Sequence, residues 1–456
     1  MRLVARFGLE EDKAIKVYSC FMKKDGEVVF EKESENFKSL SAKYPTAIWF
    51  ERKIRDDFGI EFEGSFDNRP LYKHERFPKS IYPLKKEFQD SDIEYSKFEP
   101  YEYESIKGDG VFEVAVGPIH AGIIEPGHFQ FSQEGESILH LEVRHFYKYR
   151  AIEKIVEGKK PLEAFRTIER ISGNESLAYQ KAYYKILLQA SKKDENADIK
   201  RYNSLLLEIE RLIHHLIDLG FIPNDAGFGA ALSFCSQKSE ELRRVLKEIT
   251  GSRFGFGSIR GEAKKVDKER ILNFLDNLKN DIEWFREWIN DIPSLWDRLD
   301  TTGILKTKNA LKYSCVGVVG RASGLKEDVR SRDDFYKEIG FVLQREKSGD
   351  VAARFKLRIK EALNSIEMMR KLIDYSDKKI SFNGFSDGEY CAFVESSIGE
   401  LFIFVKIKEG VIDRFYARDP SFISWQALHL MMSGNIIADF PLINKSCDLS
   451  YAGSDL

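Results

Sequence analysis

The sequence predicts an α+β fold in two unequal parts: a small N-terminal α+β domain fused to a larger, mainly helical domain that carries small peripheral β-sheets. Three observations lead there. Short runs rich in β-branched and aromatic residues dominate the first 88 residues, and helix-period segments dominate the rest. A polar, acidic stretch separates the two.

Within residues 1–88, LVARFGL, KVYSCFM and EVVFE read as strands, followed by an aromatic segment that ends at YPLKKEF. QDSDIEYSKFEPYEYESIKGDG, residues 89–110, is acidic and closes on two glycines. Such a composition cannot bury much, so 89–110 is read as a linker, with a second domain over 111–456. VFEVAVGPIHAGIIEPGHFQF and SILHLEVRHF alternate apolar and polar residues between glycines, the pattern of a hairpin or small sheet. SLLLEIERLIHHLIDLG, residues 204–220, places Leu205, Ile209, Leu212, Ile213, Leu216 and Leu219 on one helical face. Residues 269–292 and 353–375 repeat that spacing. A β-rich patch, GEYCAFVESSIGELFIFVKIKEGVIDRFYARDP, precedes a last helix and the tail; no internal repeat is present.

Composition narrows the function classes. A chain of 456 residues exceeds the ~250 residues at which single cores stop growing. With 43% hydrophobic residues and 12 prolines it can build a substantial core. The 71 basic and 74 acidic residues leave a net charge of −3, so no global field directs it to nucleic acid or an anionic membrane. The longest apolar runs, such as CVGVVG at 315–320, fall far short of the ~20 residues that span a bilayer. MRLVARFGLEEDKAIK lacks the apolar core of a signal peptide, so a cytoplasmic location is expected. Cysteines at 20, 235, 315, 391 and 447 are odd in number and more than fifty residues apart, which excludes a CxxC metal site and argues against a disulfide framework.

Few residues suggest chemistry through spacing. GSRFGFGSIRGE has glycines at 251, 255, 257 and 261, but Arg260 stands where a dinucleotide fingerprint needs its third glycine, and no Gly-Lys-Ser/Thr follows. A close-packed interdomain loop is the better reading. His214 and His215 are adjacent, so they project about 100° apart on a helix and cannot share an ion. They are read as packed or interfacial histidines. His120 and His128 flank Glu125 in GPIHAGIIEPGHF, which fits a structural turn and a proton-transfer site equally well. No Ser/His/Asp or Cys/His set follows from spacing, because such sets assemble only in space.

A family resemblance adds more. WFERKIRDDFGIEFEGSFDNRPLYKHERFPKSIYPLKKEF resembles the hydrophilic C-type subunit of respiratory complex I. From Gly117 onward the chain resembles the complex I D-type subunit. It is more similar still to the large subunit of membrane-bound nickel-iron hydrogenases of the energy-converting and formate hydrogenlyase type. The residues that carry this are GPIHAGIIEPGHF, YKYRAIEK, ERISGNES, LEIERLIHHL, GSRFGFGSIR, GRASGLKEDVR, GDVAARFKLRIKEALNSIE, ARDPSFISWQALHLMMSGNIIADFPLI and DLSYAGSDL.

The resemblance also exposes departures. Hydrogenases of this type hold nickel and iron with four thiolates, in Arg-x-Cys-Gly-x-Cys and Asp-Pro-Cys-x-x-Cys, because soft donors suit both metals. The matching positions here are Ser172, Glu175, Ser450 and Gly453. The Glu-x-Pro-Arg-Gly element, which sets an arginine against the iron's ligands, is replaced by Glu395-Ser396-Ser397-Ile398-Gly399. The D-type quinone-binding histidine and tyrosine fall at Ile124 and Gly173, so those groups are absent too. Glu125 matches a carboxylate used for proton transfer near the metal.

The resemblance therefore implies a soluble large subunit of a membrane-attached complex, without a nickel-iron centre and with no cofactor bound by this chain. Since the tail is DLSYAGSDL, the resemblance further implies that no maturation protease or nickel insertion is needed. An iron-sulfur small subunit of complex I B-type would bring electrons, and antiporter-like membrane subunits would hold the chain on the inner face of the cell membrane. The acceptor would be a quinone or another organic molecule, as in an NADH-quinone oxidoreductase, with Glu125, His120, Arg170, Ser172 and Glu175 as candidate catalytic residues. The alternative is a non-catalytic coupling subunit of the same kind of complex.

Overall fold

A computed structural model describes residues 1–89, 93–121 and 124–456. Positions 90–92 of the acidic stretch and 122–123 of the GPIHAGIIEP segment lie outside the described residues.

The N-terminal runs form an antiparallel meander of β1 (Arg2–Glu11), β2 (Ala14–Met22) and β3 (Val28–Glu33). Asp12 and Lys13 join β1 to β2 with φ of 50° and 66°, the left-handed pair whose twist matches a two-residue hairpin. Helix α1 (Ala47–Phe58) covers one face, setting Ile54 and Phe58 against Val17, Phe62 and Leu84. It stops at Gly59, whose φ of 77° lets its N–H reach the Arg55 carbonyl.

A second meander follows the acidic stretch: β4 (Val111–Val116), β5 (His128–Glu134) and β6 (Ser137–Arg144). The main helices are α2 (Ser176–Ala190), α3 (Ala197–Asp225), α4 (Gly229–Thr250), α5 (Lys268–Asn290) and α6 (Val351–Leu372). The three helix-period segments read from the sequence lie on α3, α5 and α6, the last two running two or three residues past the helix ends. The β-rich patch forms a third meander, β7 (Gly388–Glu395), β8 (Glu400–Lys408) and β9 (Val411–Arg418). After it come short helices, among them α7 (Pro420–Ser424) and the terminal α8 (Tyr451–Asp455).

Helix α3 corrects a simple amphipathic reading. Its apolar stripe is buried as expected, but Glu208, Glu210, Arg211, His214, His215 and Asp218 on the other faces are buried too. Charges there must be paired. Glu208 accepts from Tyr336 at 3.0 Å and Ser365 at 2.7 Å and pairs with Arg330 at 3.2 Å. Arg321 bridges Glu361 at 2.7 Å, Glu395 at 2.6 Å and Asp328 at 3.3 Å. The Nε2 of His215 meets Glu361 at 2.9 Å, so this histidine belongs to the ionic lattice, as its packed reading required.

The two ends of the chain share a core. Phe7 of β1 stacks on Tyr416 of β9 with centroids 4.4 Å apart, and lies 4.8 Å from Phe404 of β8. Arg418 donates to the Val4 carbonyl and Arg414 to that of Gly8, each at 3.0 Å. Glu400 gathers Arg2, Arg332 and Arg418 at 2.7–2.8 Å. At roughly 1.5–3 kcal/mol for each large apolar side chain buried, this sheet-on-sheet contact is a major part of what holds the N-terminal region.

The acidic stretch has no regular structure from 93 to 107 and leaves Tyr95 76% and Phe98 61% exposed. It is nevertheless tied to the rest of the protein: the Tyr101 hydroxyl accepts from Arg52 at 3.0 Å and donates to Glu142 at 3.1 Å, and the Ser96 N–H donates to the Arg76 carbonyl at 2.9 Å.

Candidate functional site

Two distant segments build the site. Residues 169–175 form the turn between the helix Pro161–Ile168 and α2. Residues 448–456 return beside them, because Asp448 takes a left-handed φ of 49° that turns the chain out of the helix Phe440–Cys447. Arg150 ties the two together, with Nη2 donating to the Ile171 carbonyl at 2.7 Å and to the Ala452 carbonyl at 2.8 Å. Its backbone N–H donates to the Leu456 carbonyl at 2.8 Å.

This brings Ser172 and Ser450 together, hydroxyl oxygens 3.1 Å apart. The Ser450 oxygen also accepts the Gly453 N–H at 2.9 Å, the side-chain cap of α8. The Ser450 N–H donates to the Ser421 hydroxyl at 2.9 Å, which joins the tail to α7.

The remaining two positions, Glu175 and Gly453, are linked through a residue that the motif comparison missed. Asp419 precedes Pro420 and caps α7, its Oδ1 accepting the Ser421 N–H at 2.9 Å. Its Oδ2 accepts the Tyr179 hydroxyl at 2.9 Å. A side chain on Gly453 would start 2.1 Å from that oxygen. Glu175 is fully buried, flanked by Asp419 and Ser396, and neither of its oxygens has a hydrogen-bond partner. Burial first, then the Asp419 charge, push the Glu175 carboxyl well above the usual range. The same two causes raise the Tyr179 hydroxyl. The sequence signal for Asp419 was available in principle, since an aspartate directly before a proline is a helix N-cap, but a cap alone does not point to a site.

The other candidates are dispersed. Glu125 is not buried: its side chain is 36% exposed, 3.6 Å from Lys148, with Oε2 accepting the Ala452 N–H at 2.9 Å. Its contacts are with Lys148 and the tail helix. Arg170 does not join Glu125 or Glu175. It pairs with Glu169, packs on Phe256 at 4.4 Å and stays 49% exposed. His120 binds the Gly127 carbonyl at 2.7 Å, and His128 lies 3.1 Å from the Gln130 side chain and 3.3 Å from the Gly117 carbonyl. Through these bonds the two histidines link Gly117, Gly127 and Gln130. Asp455, not singled out in the sequence, is buried beside Glu125 and accepts the Lys148 N–H at 3.0 Å; burial pushes its carboxyl up to about 8.

The glycine loop after α4 is close-packed but lies within the helical part. A side chain on Gly255 would start 2.6 Å from Leu177, and Gln180 of α2 bonds to Gly255 and Ile259. Glu395-Ser396-Ser397-Ile398-Gly399 is a tight turn, with the Ser396 hydroxyl bonded to Gly399 and Glu395 held by Arg321. Ile124 is 52% exposed and Gly173 faces open space, so both places matched to quinone-binding groups lie at the surface of this chain.

Two hydroxyls, one carboxyl and a glycine do not fit a nickel-iron pair, which needs four soft donors. Among the described residues, no group of three or more His, Cys, Asp or Glu side chains is arranged to hold a metal ion, and no helix is long and apolar enough to cross a membrane.

Comparison with known proteins gives consistent matches. The family described as respiratory-chain NADH dehydrogenase, 49 kDa subunit, matches residues 225–384 and 377–455, and the 30 kDa subunit family matches 9–94. Formate hydrogenlyase subunit 5 of Escherichia coli (strain K12) is 27% identical over 436 residues, covering 92% of this chain and 77% of the relative. The C/D subunit of the NADH-quinone oxidoreductase of Phocaeicola vulgatus is 24% identical over 451 residues, 91% of this chain and 86% of the relative. A solved chain from the membrane-bound sulfane sulfur reductase, an archaeal respiratory membrane complex, shares the fold with a TM-score of 0.71 at 21% identity, covering 76% of this chain and 99% of that one.

Proposed function

Because the chain belongs to the respiratory-chain NADH dehydrogenase 49 kDa subunit family, with a 30 kDa-type region ahead of it, we propose that it is the large subunit of a membrane-attached oxidoreductase complex that works without a nickel-iron centre. It takes electrons from an iron-sulfur small subunit, passes them toward a quinone or another organic acceptor, and couples the transfer to ion movement through antiporter-like membrane subunits. The observation that carries this is the cluster at the four former thiolate positions, where Ser172 bonds to Ser450 and Glu175 faces Asp419 beside Gly453.

This chain's part is to position and to hold charge. The exposed Gly173, two residues before Glu175, is the side open to an acceptor or a partner subunit. Glu175, whose carboxyl burial and Asp419 push well above the usual range, is the group that would hold a proton for a reduced acceptor. Glu125 and Asp455 form a second carboxyl pair nearer the surface, able to pass protons inward.

The second reading, a non-catalytic coupling subunit, draws on the full burial of Ser172 and Glu175: an acceptor that reaches them must displace packed side chains. One experiment separates the two. In the purified intact complex, Glu175→Gln and Glu125→Gln should each lower quinone reduction if the site is catalytic. Unchanged electron transfer with weakened ion movement would transfer support to the coupling role. Nickel at one atom per chain in that preparation would overturn the absence of the metal centre.

A further inference from the structure

The backbone of Gly453 sits inside the short helix α8 and is not in the left-handed region, so nothing in its conformation calls for glycine. Space does. A Cβ there would lie 2.1 Å from Asp419 Oδ2 and 2.6 Å from its Cγ. An obstacle of that kind matters little when it is the loose end of a side chain, but Asp419 is fixed at both oxygens. Oδ1 takes the Ser421 N–H and Oδ2 the Tyr179 hydroxyl, each at 2.9 Å, and the residue is 1% exposed. Moving it would strand a buried phenol, uncap α7 and leave a buried carboxylate without its donors, each a cost.

We propose that Asp419 and Gly453 form a steric interlock that closes the fourth ligand position of this site, so that Asp419, not the missing thiolates alone, sets what the site can hold. The carboxylate occupies the volume that a side chain on 453 would need, and presents an oxygen toward Glu175 in its place. The consequence is a specificity rule. Replacing Ser172, Glu175, Ser450 and Gly453 by cysteine does not recreate a four-sulfur site while Asp419 is present. This rests on the proposed loss of the metal centre, but its test is separate.

The test uses the full-length chain. In a double-mutant cycle on thermal unfolding, Gly453→Ala should lower the midpoint when Asp419 is present. It should cause a much smaller further loss in an Asp419→Ala background, where only Ser450 Oγ, 3.0 Å from the added Cβ, still crowds it, so the two changes are strongly non-additive. Additive effects, or a Gly453→Ala variant as stable as the parent, would overturn the interlock. In parallel, cobalt(II) is titrated into the four-cysteine variant with and without Asp419→Ala, following thiolate-to-cobalt absorption. One cobalt with four-sulfur character is expected only with Asp419→Ala; the same spectrum with Asp419 in place would sink the proposal. If the four-cysteine chain does not fold, the alanine cycle decides alone. Nickel found in the wild-type complex would count against the proposed function without touching the cycle.

Discussion

Ser172 and Ser450, 278 positions apart in the chain, place their hydroxyl oxygens 3.1 Å from one another in the protein interior. The bond joins the turn before α2 to the terminal helix, and it differs in weight for its two partners. Ser450 also caps α8, so Ser450→Ala loses two interactions and is expected to cost about 1–2 kcal/mol. Ser172→Ala removes only the shared bond and should cost about 1 kcal/mol or less. Denaturant midpoints of both variants and the double mutant check this; equal losses would mean that the cap contributes nothing.

Glu175 should carry a proton at neutral pH, since burial and Asp419 both disfavour its charge. Infrared spectra of the full-length chain at pH 7 are expected to contain a protonated carboxyl C=O band, shared with groups such as Asp455, that Glu175→Gln weakens. A spectrum unchanged by the substitution would show that the carboxyl is ionised.

Asp455 offers a pH test with a definite sign. Its carboxyl is raised from 3.8 to about 8, so the folded state binds the proton more tightly than the unfolded chain does. Its contribution to stability is fully present below about pH 4 and is lost as the pH rises toward 8. Asp455→Asn keeps an acceptor for the Lys148 N–H and removes the titration. The stability of the parent relative to the variant should therefore fall between pH 5 and pH 8; a constant difference would refute it.

Arg321 faces Glu361, Glu395 and Asp328 with its side chain fully buried. Arg321→Met keeps most of the bulk and leaves three carboxylates without their shared cation, an expected loss of about 3–5 kcal/mol. Chemical unfolding of the variant measures it, and a loss below about 1 kcal/mol would mean that Arg330 and Arg211 neutralise the cluster alone.

Much of this architecture was legible in the sequence, for a physical reason: period-2 and period-3.6 patterns report which side of an element faces the core. The three meanders and the helices α3, α5 and α6 followed from them. The same patterns say nothing about a polar face that is also buried, which is why the ionic lattice around Glu208 and Arg321 was not foreseen. At the site, motif positions named residues 172, 175, 450 and 453, and the fold brings Ser172 against Ser450. They could not locate Asp419, whose place opposite Gly453 depends on how β9 enters α7. Glu125 and Arg170 were drawn too far inward, because neighbours in a motif need not be neighbours in space.

The stacking of Phe7 on Tyr416 also imposes an order in time. During synthesis at ~5–20 residues per second, the first strands leave the ribosome long before residues 400–418 exist. Until then Val4, Phe7 and Tyr18 have no opposing sheet, because Phe402, Phe404 and Tyr416, which bury them, come so much later in the sequence. The N-terminal region therefore waits, sticky on one face, and a nascent chain stalled before residue 400 should be a chaperone client while one that has passed 418 is not.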